Sequence, residues 1–221
     1  MNIEANIREV QERIARACEQ SHRSPSDVKL VAVTKGFEAS AIRTAFDCGL
    51  RDFGENRVQE AENKIGQLAD LKPYVTWHMV GHLQSNKAKT AVALFDIIHS
   101  IDSVKLARIL SQRAQRALPI LLQVNVSGEA PKSGFTLEEV DAALSEIKQL
   151  PNLQIVGLMT IAPLITDPET VRPVFRKLQE LRDSFGLKHL SMGMTDDFEV
   201  AVEEGATMLR IGRAIFGNRR L

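Results

Sequence analysis

Residues 30–35 read Leu-Val-Ala-Val-Thr-Lys, a continuous apolar and β-branched run that ends in Lys35 and is followed at once by Gly36. A run without polar alternation is typical of a strand buried on both faces, as in a parallel sheet covered by helices. An amine delivered to the end of such a strand can react with an aldehyde or ketone, so Lys35 is a candidate Schiff-base lysine. A strand-end lysine that only reaches solvent is the alternative, and the run alone leaves both open.

Seven similar runs follow along the chain, and amphipathic segments separate them. The predicted strands cover residues 30–35, 52–56, 76–81, 97–101, 119–126, 154–161, 189–193 and 208–212. The predicted helices cover residues 39–48, 58–68, 104–117, 137–150, 169–185 and 198–204. Eight apolar strands alternating with helices, without a nucleotide-type glycine signature, predict an α/β fold closed into a (β/α)₈ TIM barrel.

The rest of the 221 residues leaves little room for another domain. An additional amphipathic helix before the first strand places Ile3, Ile7, Val10, Ile14 and Ala17 on one face, and we expect it to plug or flank the barrel. No shift in composition marks a boundary. We therefore expect a single barrel domain over residues 1–221.

Composition excludes several classes of protein. The chain carries 28 basic and 28 acidic residues, with one Trp and one Tyr, so it lacks the basic surface and stacking aromatics of a nucleic-acid binder. No apolar stretch approaches the roughly 18 to 20 residues of a bilayer span, and the first residues mix acidic and apolar side chains; we expect no membrane association and a cytoplasmic protein. Cys18 and Cys48 are expected to be reduced thiols on helix faces.

In a TIM barrel the chemistry lies at the carboxyl ends of the strands, where loops seven and eight frequently bind phosphate. Gly193, Thr195, Gly212 and Arg213 fall in those two loops and are suitable residues for a phosphate site. The pair 196–197 is Asp-Asp, which would repel a phosphate, so we expect both carboxylates to point away from it.

Six motifs in order carry a family resemblance. They are Val31-Ala-Val-Thr-Lys35, Arg51-Asp-Phe-Gly-Glu-Asn-Arg-Val-Gln-Glu60, Trp77-His-Met-Val-Gly-His-Leu-Gln-Ser-Asn-Lys87, Gly157-Leu-Met-Thr160, Ser191-Met-Gly-Met-Thr195 and Leu209-Arg-Ile-Gly-Arg-Ala-Ile-Phe-Gly217. The sequence resembles the pyridoxal phosphate homeostasis protein family, single-domain relatives of the barrel half of bacterial alanine racemase. The resemblance implies a protein that carries or buffers pyridoxal 5′-phosphate (PLP) through a Schiff base on Lys35. Such a protein serves vitamin B6 and amino-acid homeostasis without an established reaction.

The resemblance also assigns site residues. Besides Lys35, the implied cofactor contacts are Asn56, Met194, Thr195, Arg210, Gly212 and Arg213. Thr195, Gly212 and Arg213 would hold the phosphate. Arg210 would face the pyridine nitrogen, and Asn56 would lie near the 3-hydroxyl. Relatives commonly carry Ser in place of Thr195, which keeps the hydroxyl, and Thr or Ser in place of Arg213, which leaves only the backbone N–H in common; many have Tyr in place of Arg57.

Chemistry favours a carrier over an enzyme. Arginine is only a donor, so Arg210 would keep the pyridine nitrogen unprotonated and weaken the electron sink that most PLP enzymes use. Racemisation needs a second base, and the only tyrosine, Tyr74, precedes the third strand at the opposite end of the barrel. Two alternatives remain: a weak racemase-like PLP enzyme, whose base would be His78, His82 or one of the distal lysines, and a cofactor-free Schiff-base aldolase. Candidate partners are PLP-dependent apoenzymes or a regulatory protein, and the expected state is a monomer.

Three smaller expectations concern polar residues near these strand ends. We expect His78 and His82 to pack or hydrogen-bond instead of binding a metal, because no third ligand has matching spacing. Lys64, Lys87 and Lys89 are expected to be solvated helix residues. Arg210 could form an ion pair with Glu55 inside the barrel, because guanidinium has five N–H donors.

Overall fold

Eight parallel strands pair in sequence order and close on themselves in the computed structural model, which describes residues 2–129, 133–163 and 167–218. The strands are β1 (Lys29–Val33), β2 (Asp52–Glu55), β3 (Thr76–Met79), β4 (Ile97–Ile101), β5 (Leu118–Gln123), β6 (Leu153–Met159), β7 (His189–Ser191) and β8 (Met208–Ile211). All eight predicted strands are present, and the last strand pairs with the first through Ala32 and Ile211. The predicted TIM barrel is confirmed.

Helices surround the barrel. They are α1 (Ile3–Gln20), α2 (Ala39–Asp47), α3 (Val58–Gln67), α4 (Ala88–Leu94), α5 (Val104–Arg113), α6 (Val140–Ile147), α7 (Arg172–Ser184), α8 (Phe198–Glu203) and α9 (Arg213–Phe216). Two of these, α4 and α9, were not predicted from the sequence. Helix α9 is a single turn, and α4 contains three alanines in seven residues, which leaves little apolar periodicity.

The barrel interior contains two kinds of side chain. An apolar cluster at inward positions consists of Val31, Val33, Val80, Ile97, Leu121, Met159 and Met208. Because strand side chains alternate between the two faces, Arg210 on β8 points inward like Met208, and Ser191, His78 and His99 share this interior. A row of buried polar groups therefore crosses an otherwise apolar barrel.

Helix α1 packs on the outside of the barrel against α2, α8 and α9. The Asn6 amide donates to the Ile215 carbonyl at 2.8 Å, and Arg13 pairs with Glu199 at 2.7 Å. Of the two expected arrangements, α1 flanks the barrel and does not plug it. Within the described residues, no helix combines the length and apolarity that crossing a lipid bilayer requires.

Candidate functional site

Lys35 lies two residues beyond the end of β1, at the carboxyl end of the barrel, and is half-buried. Val31 and Val33 belong to the interior cluster, and Lys35 continues the same alternation. The sequence therefore directs the Lys35 side chain toward the mouth of the barrel.

The backbone on both sides of Lys35 is held by α3 and its preceding strand. The Thr34 hydroxyl donates to Glu55 Oε1 at 2.5 Å, and the Thr34 carbonyl accepts from Lys64 Nζ at 2.6 Å. Gly36, at φ 76°, donates its N–H to Glu60 Oε1 at 2.5 Å. Lys35 thus projects from a backbone segment fixed on either side.

Lys64 joins these contacts into one network, and the prediction that it is solvated was wrong. Its side chain is 8% exposed, and Nζ lies 2.8 Å from Glu55 Oε1 and 2.6 Å from Glu60 Oε1. Burial raises the pKa of Glu55, although hydrogen bonds from Lys64 and Thr34 oppose the increase. Burial also acts to raise the pKa of Glu60, but the donors of Lys64 and Gly36 outweigh it and the pKa is lowered.

Arg210 is a buried cation at the same end of the barrel. Its Nη1 donates to Ser191 Oγ at 2.6 Å and its Nη2 to the Thr160 carbonyl at 2.8 Å. The predicted ion pair with Glu55 was wrong, because Glu55 turns outward to α3. Burial lowers the pKa of Arg210 to about 10, so the guanidinium stays protonated at neutral pH.

The loops after β7 and β8 approach their neighbours closely. A Cβ at Gly193, which has φ +89°, would lie 2.6 Å from the Ala201 Cβ, and one at Gly212 would lie 2.9 Å from the Val33 carbonyl oxygen. The Ala214 N–H donates to Thr195 Oγ1 at 3.4 Å, which ties the two loops together. The predicted phosphate residues therefore converge at one end of the barrel.

The two aspartates beside this site have separate partners. Asp197 is buried and accepts from the Met194 N–H at 2.6 Å, so it stabilises the turn that carries Thr195. Asp196 is exposed and forms an ion pair with the Arg213 side chain. Because Arg213 is engaged in this way, its guanidinium offsets the Asp196 charge that was expected to repel an anion.

Asn56 follows β2 and borders a cavity of about 530 Å³ together with Arg57, His82 and Lys87. Its Oδ1 is buried and has no hydrogen-bond partner among the described residues, and the same holds for Glu55 Oε2. Unpartnered buried acceptors are uncommon in folded proteins and indicate a place for a donor from a ligand or from water.

The other candidate residues from the sequence differ in their position and exposure. Tyr74 precedes β3 at the opposite end and is 64% exposed. His82 is exposed and lies 3.0 Å from Asp102, whereas His78 is buried and hydrogen-bonded, as expected. In the described part of the chain, no group of three His, Cys, Asp or Glu residues could hold a metal ion. Lys89 is exposed as predicted, and Lys87 is half-buried.

Sequence reasoning missed the groups that support Lys35 and Arg210. These are Thr34, Glu60, Lys64, His99 and Ser191. One signal was available: Glu60 and Lys64 are four apart on a helix, the spacing of a stabilising ion pair. Nothing in the sequence indicated that this pair turns inward to Glu55.

Residues 2–220 match the alanine racemase N-terminal domain family. The pyridoxal phosphate homeostasis protein of Pseudomonas aeruginosa is 46% identical, over 98% of this chain and 96% of its own length. That of Aquifex aeolicus is 43% identical over the full length of both chains. The structure of PipY from Synechococcus elongatus PCC7942, with PLP bound, superposes with a TM-score of 0.81 at 42% identity, covering 94% of this chain and 100% of PipY. The chain belongs to the pyridoxal phosphate homeostasis protein family, whose barrel is that of the alanine racemase N-terminal domain.

Proposed function

We propose that this chain binds PLP covalently through Lys35 and serves as a carrier or buffer of the cofactor in vitamin B6 homeostasis. The observation that carries the proposal is that Lys35, on an anchored backbone segment, and the buried cation Arg210 lie at the same end of the barrel. PipY, 42% identical, has PLP bound, which supports the same cofactor here.

The residues present fit the cofactor at three points. Arg210 uses two of its five N–H donors in the hydrogen bonds described, which leaves donors for a ring nitrogen. Asn56 Oδ1, a buried acceptor without a partner among the described residues, suits a hydroxyl donor such as the 3-hydroxyl. The Thr195 hydroxyl and the turns at Gly193 and Gly212 suit a phosphate.

Three further residues complete this assignment. Gly212 and Arg213 would offer backbone N–H groups to the phosphate, and Met194 would line the same loop, held in place through Asp197. When bound, PLP supplies an aldehyde that reacts reversibly with an amine. The protein's own task is then to present Lys35 and to hold the phosphate and ring.

Two observations favour a carrier over an enzyme. Protonated Arg210 can only donate, so it holds the ring nitrogen unprotonated and weakens the electron withdrawal on which most PLP catalysis depends. Two candidate second bases are also unsuited: Tyr74 is at the opposite end, and both ring nitrogens of His78 are engaged inside the barrel. His82 borders the Asn56 cavity with its Nδ1 3.0 Å from Asp102, so it is the base that a test for catalysis must address. We therefore propose binding and release without turnover.

The test is an absorption spectrum of the purified protein after incubation with PLP, followed by borohydride reduction and peptide mapping. We expect a visible band that disappears on reduction and a phosphopyridoxyl group on Lys35. Lys35→Ala should abolish the adduct yet still bind pyridoxine 5′-phosphate, which lacks the aldehyde, because other strands form the phosphate site. Lys89→Ala, an exposed lysine on α4, is the matched control and should label like the wild type.

The same sample separates the two alternatives. A protein that acquires neither band nor adduct contradicts the proposal and favours a cofactor-free aldolase, which borohydride would trap only with its carbonyl substrate. Incubation of the PLP-loaded protein with L-alanine or L-serine in deuterium oxide tests for catalysis. Deuterium at Cα or the appearance of the D-isomer would establish a weak enzyme and reject the pure carrier.

A further inference from the structure

A continuous hydrogen-bonded chain crosses the barrel interior from the amino-terminal end to Arg210. Asp52 Oδ1 lies 2.9 Å from His78 Nε2, and His78 Nδ1 lies 2.8 Å from His99 Nε2. His99 Nδ1 lies 2.7 Å from Ser191 Oγ, which accepts from Arg210 Nη1 at 2.6 Å. Five side chains from β2, β3, β4, β7 and β8 therefore form one row.

The two ends of this chain determine where every proton lies. Arg210 is only a donor, so Ser191 Oγ accepts from it and has one hydrogen to donate, to His99 Nδ1. Neutral His99 must then carry its proton on Nε2 and donate to His78 Nδ1. Neutral His78 likewise carries its proton on Nε2 and donates to Asp52, which as a carboxylate is only an acceptor.

The opposite direction does not fit the same ends. If His99 carried its proton on Nδ1, it would accept at Nε2 from His78 Nδ1–H. Neutral His78 would then present a bare Nε2 to the Asp52 carboxylate, two acceptors 2.9 Å apart. Burial lowers the pKa of both His78 and His99, which disfavours the doubly protonated ring that would relieve this conflict.

Asp52 is the group that connects this chain to the outside. Its side chain is 15% exposed and also accepts from Lys29 Nζ at 2.8 Å. Both residues border a cavity of about 1210 Å³ at the amino-terminal end of the barrel, opposite Lys35. Burial acts to raise the pKa of Asp52, but the His78 and Lys29 donors outweigh it and the pKa is lowered, which keeps the carboxylate an acceptor.

We infer that Asp52, His78 and His99 are positioning residues for the cofactor site, which direct the Ser191 hydroxyl hydrogen to His99, leave the Ser191 oxygen to accept from Arg210, and thereby orient Arg210 toward the ring nitrogen. This inference rests on the proposed binding of PLP. It goes further because it makes the amino-terminal end of the barrel part of the cofactor site.

The first test reads the proton positions directly and needs no ligand. Long-range ¹H–¹⁵N NMR of histidine-labelled protein should show both His78 and His99 protonated on Nε2. Asp52→Ala removes the acceptor that excludes the opposite direction, so an Nδ1–H population should appear in both rings, whereas Asp52→Asn, which keeps an acceptor oxygen, should retain the wild-type pattern. Asp96→Ala is the control, because Asp96 is another carboxylate near His78, bound to Trp77 N–H, outside the chain.

The second test measures binding of pyridoxine 5′-phosphate and of its 1-deaza analogue, which lacks the ring nitrogen. Ser191→Ala should weaken the first about tenfold, the usual cost of one hydrogen bond to a charged group, and leave the second unchanged. Ser100→Ala, a buried serine bonded to the Gly81 carbonyl, should change neither.

The possible outcomes separate the two proposals. An Nδ1–H form of either histidine in the wild type, or equal losses for both ligands in Ser191→Ala, would overturn the positioning role while PLP binding stands. Failure of the wild type to bind pyridoxine 5′-phosphate would reject the proposed function even if the two tautomers are as expected.

Discussion

Lys64→Met removes the cation on which the backbone around Lys35 depends. Glu55 is fully buried and would keep only the Thr34 hydroxyl after losing the Lys64 ammonium at 2.8 Å. Removing one partner of a buried ion pair typically costs about 3–5 kcal/mol, because an uncompensated charge remains. Protonation of Glu55 would remove the uncompensated charge and so limit this cost. Protonation itself costs about 1.4 kcal/mol for each pH unit by which the solution pH exceeds the pKa of Glu55.

The expected result at about pH 7 is a loss of about 3 kcal/mol in the free energy of unfolding, or roughly 10 °C in Tm for a chain of this size. The loss should shrink on acidification, because burial raises the pKa of Glu55 and the protonated carboxyl no longer needs a cation. Urea denaturation with a fluorescence readout from Trp77 measures this directly. Borohydride trapping with PLP should also slow, because the Thr34 carbonyl loses its partner.

Two control variants test whether the lost stability comes from the buried Glu55–Lys64 pair. Adding Glu55→Gln to Lys64→Met should restore more than half of the lost stability, since a neutral amide needs no counter-charge. Lys89→Met, an exposed lysine on α4, should stay within about 0.5 kcal/mol of the wild type. A loss below about 1 kcal/mol at pH 7 in Lys64→Met, or no recovery in the double variant, would refute the view that the pair holds this segment.

Three more predictions test the fold and its charges. Burial lowers the folded-state pKa of His78 and His99, so below about pH 6.5 the unfolded chain binds more protons than the folded protein. The free energy of unfolding therefore falls as the pH drops through that region, by up to about 1.4 kcal/mol per pH unit for each histidine. The raised pKa of Glu55 acts in the opposite direction. The measurement is therefore the slope of the free energy of unfolding against pH, compared between His99→Gln and the wild type. The two slopes should differ by the equivalent of about one proton. Gly157→Ala should cost at least about 2 kcal/mol in urea denaturation, because its Cβ would lie 2.1 Å from the His189 carbonyl oxygen. Sedimentation should give the mass of one chain at all concentrations, and a stable dimer would contradict the expected monomer.

Strands such as β5 and β8 were predictable from the sequence because most of their residues are apolar and nearly all are buried. The end of β1 near Lys35 and the loops after β7 and β8 were identified from the glycines that follow these strands, because a glycine marks a strand end within a few residues of sequence. Helix α4 was missed because seven residues with three alanines carry almost no periodicity.

The supporting groups could not be predicted, because their partners are distant in sequence. His99 bonds to Ser191 across 92 positions, and Lys64 bonds to the Thr34 carbonyl across 30. The residue type of Lys64 also predicts a surface position, because lysine is rarely buried unless it is paired. Closure of the barrel places β4 across the interior from β7, and the packing of α3 beside β1 and β2 turns Lys64 toward Thr34 and Glu55.

The two halves of the proposed site are supported from opposite sides of the barrel wall. Lys35 is held from outside, through Thr34 and Gly36 to α3, while Arg210 is held from inside through Ser191. Since the two networks share no side chain among the described residues, a change at Lys64 should alter how fast the covalent bond forms while leaving ring recognition by Arg210 intact. In a carrier of PLP this separation would let Lys35 hold the aldehyde carbon while Arg210 and the loops after β7 and β8 hold the ring and the phosphate, so each contact could change without the other.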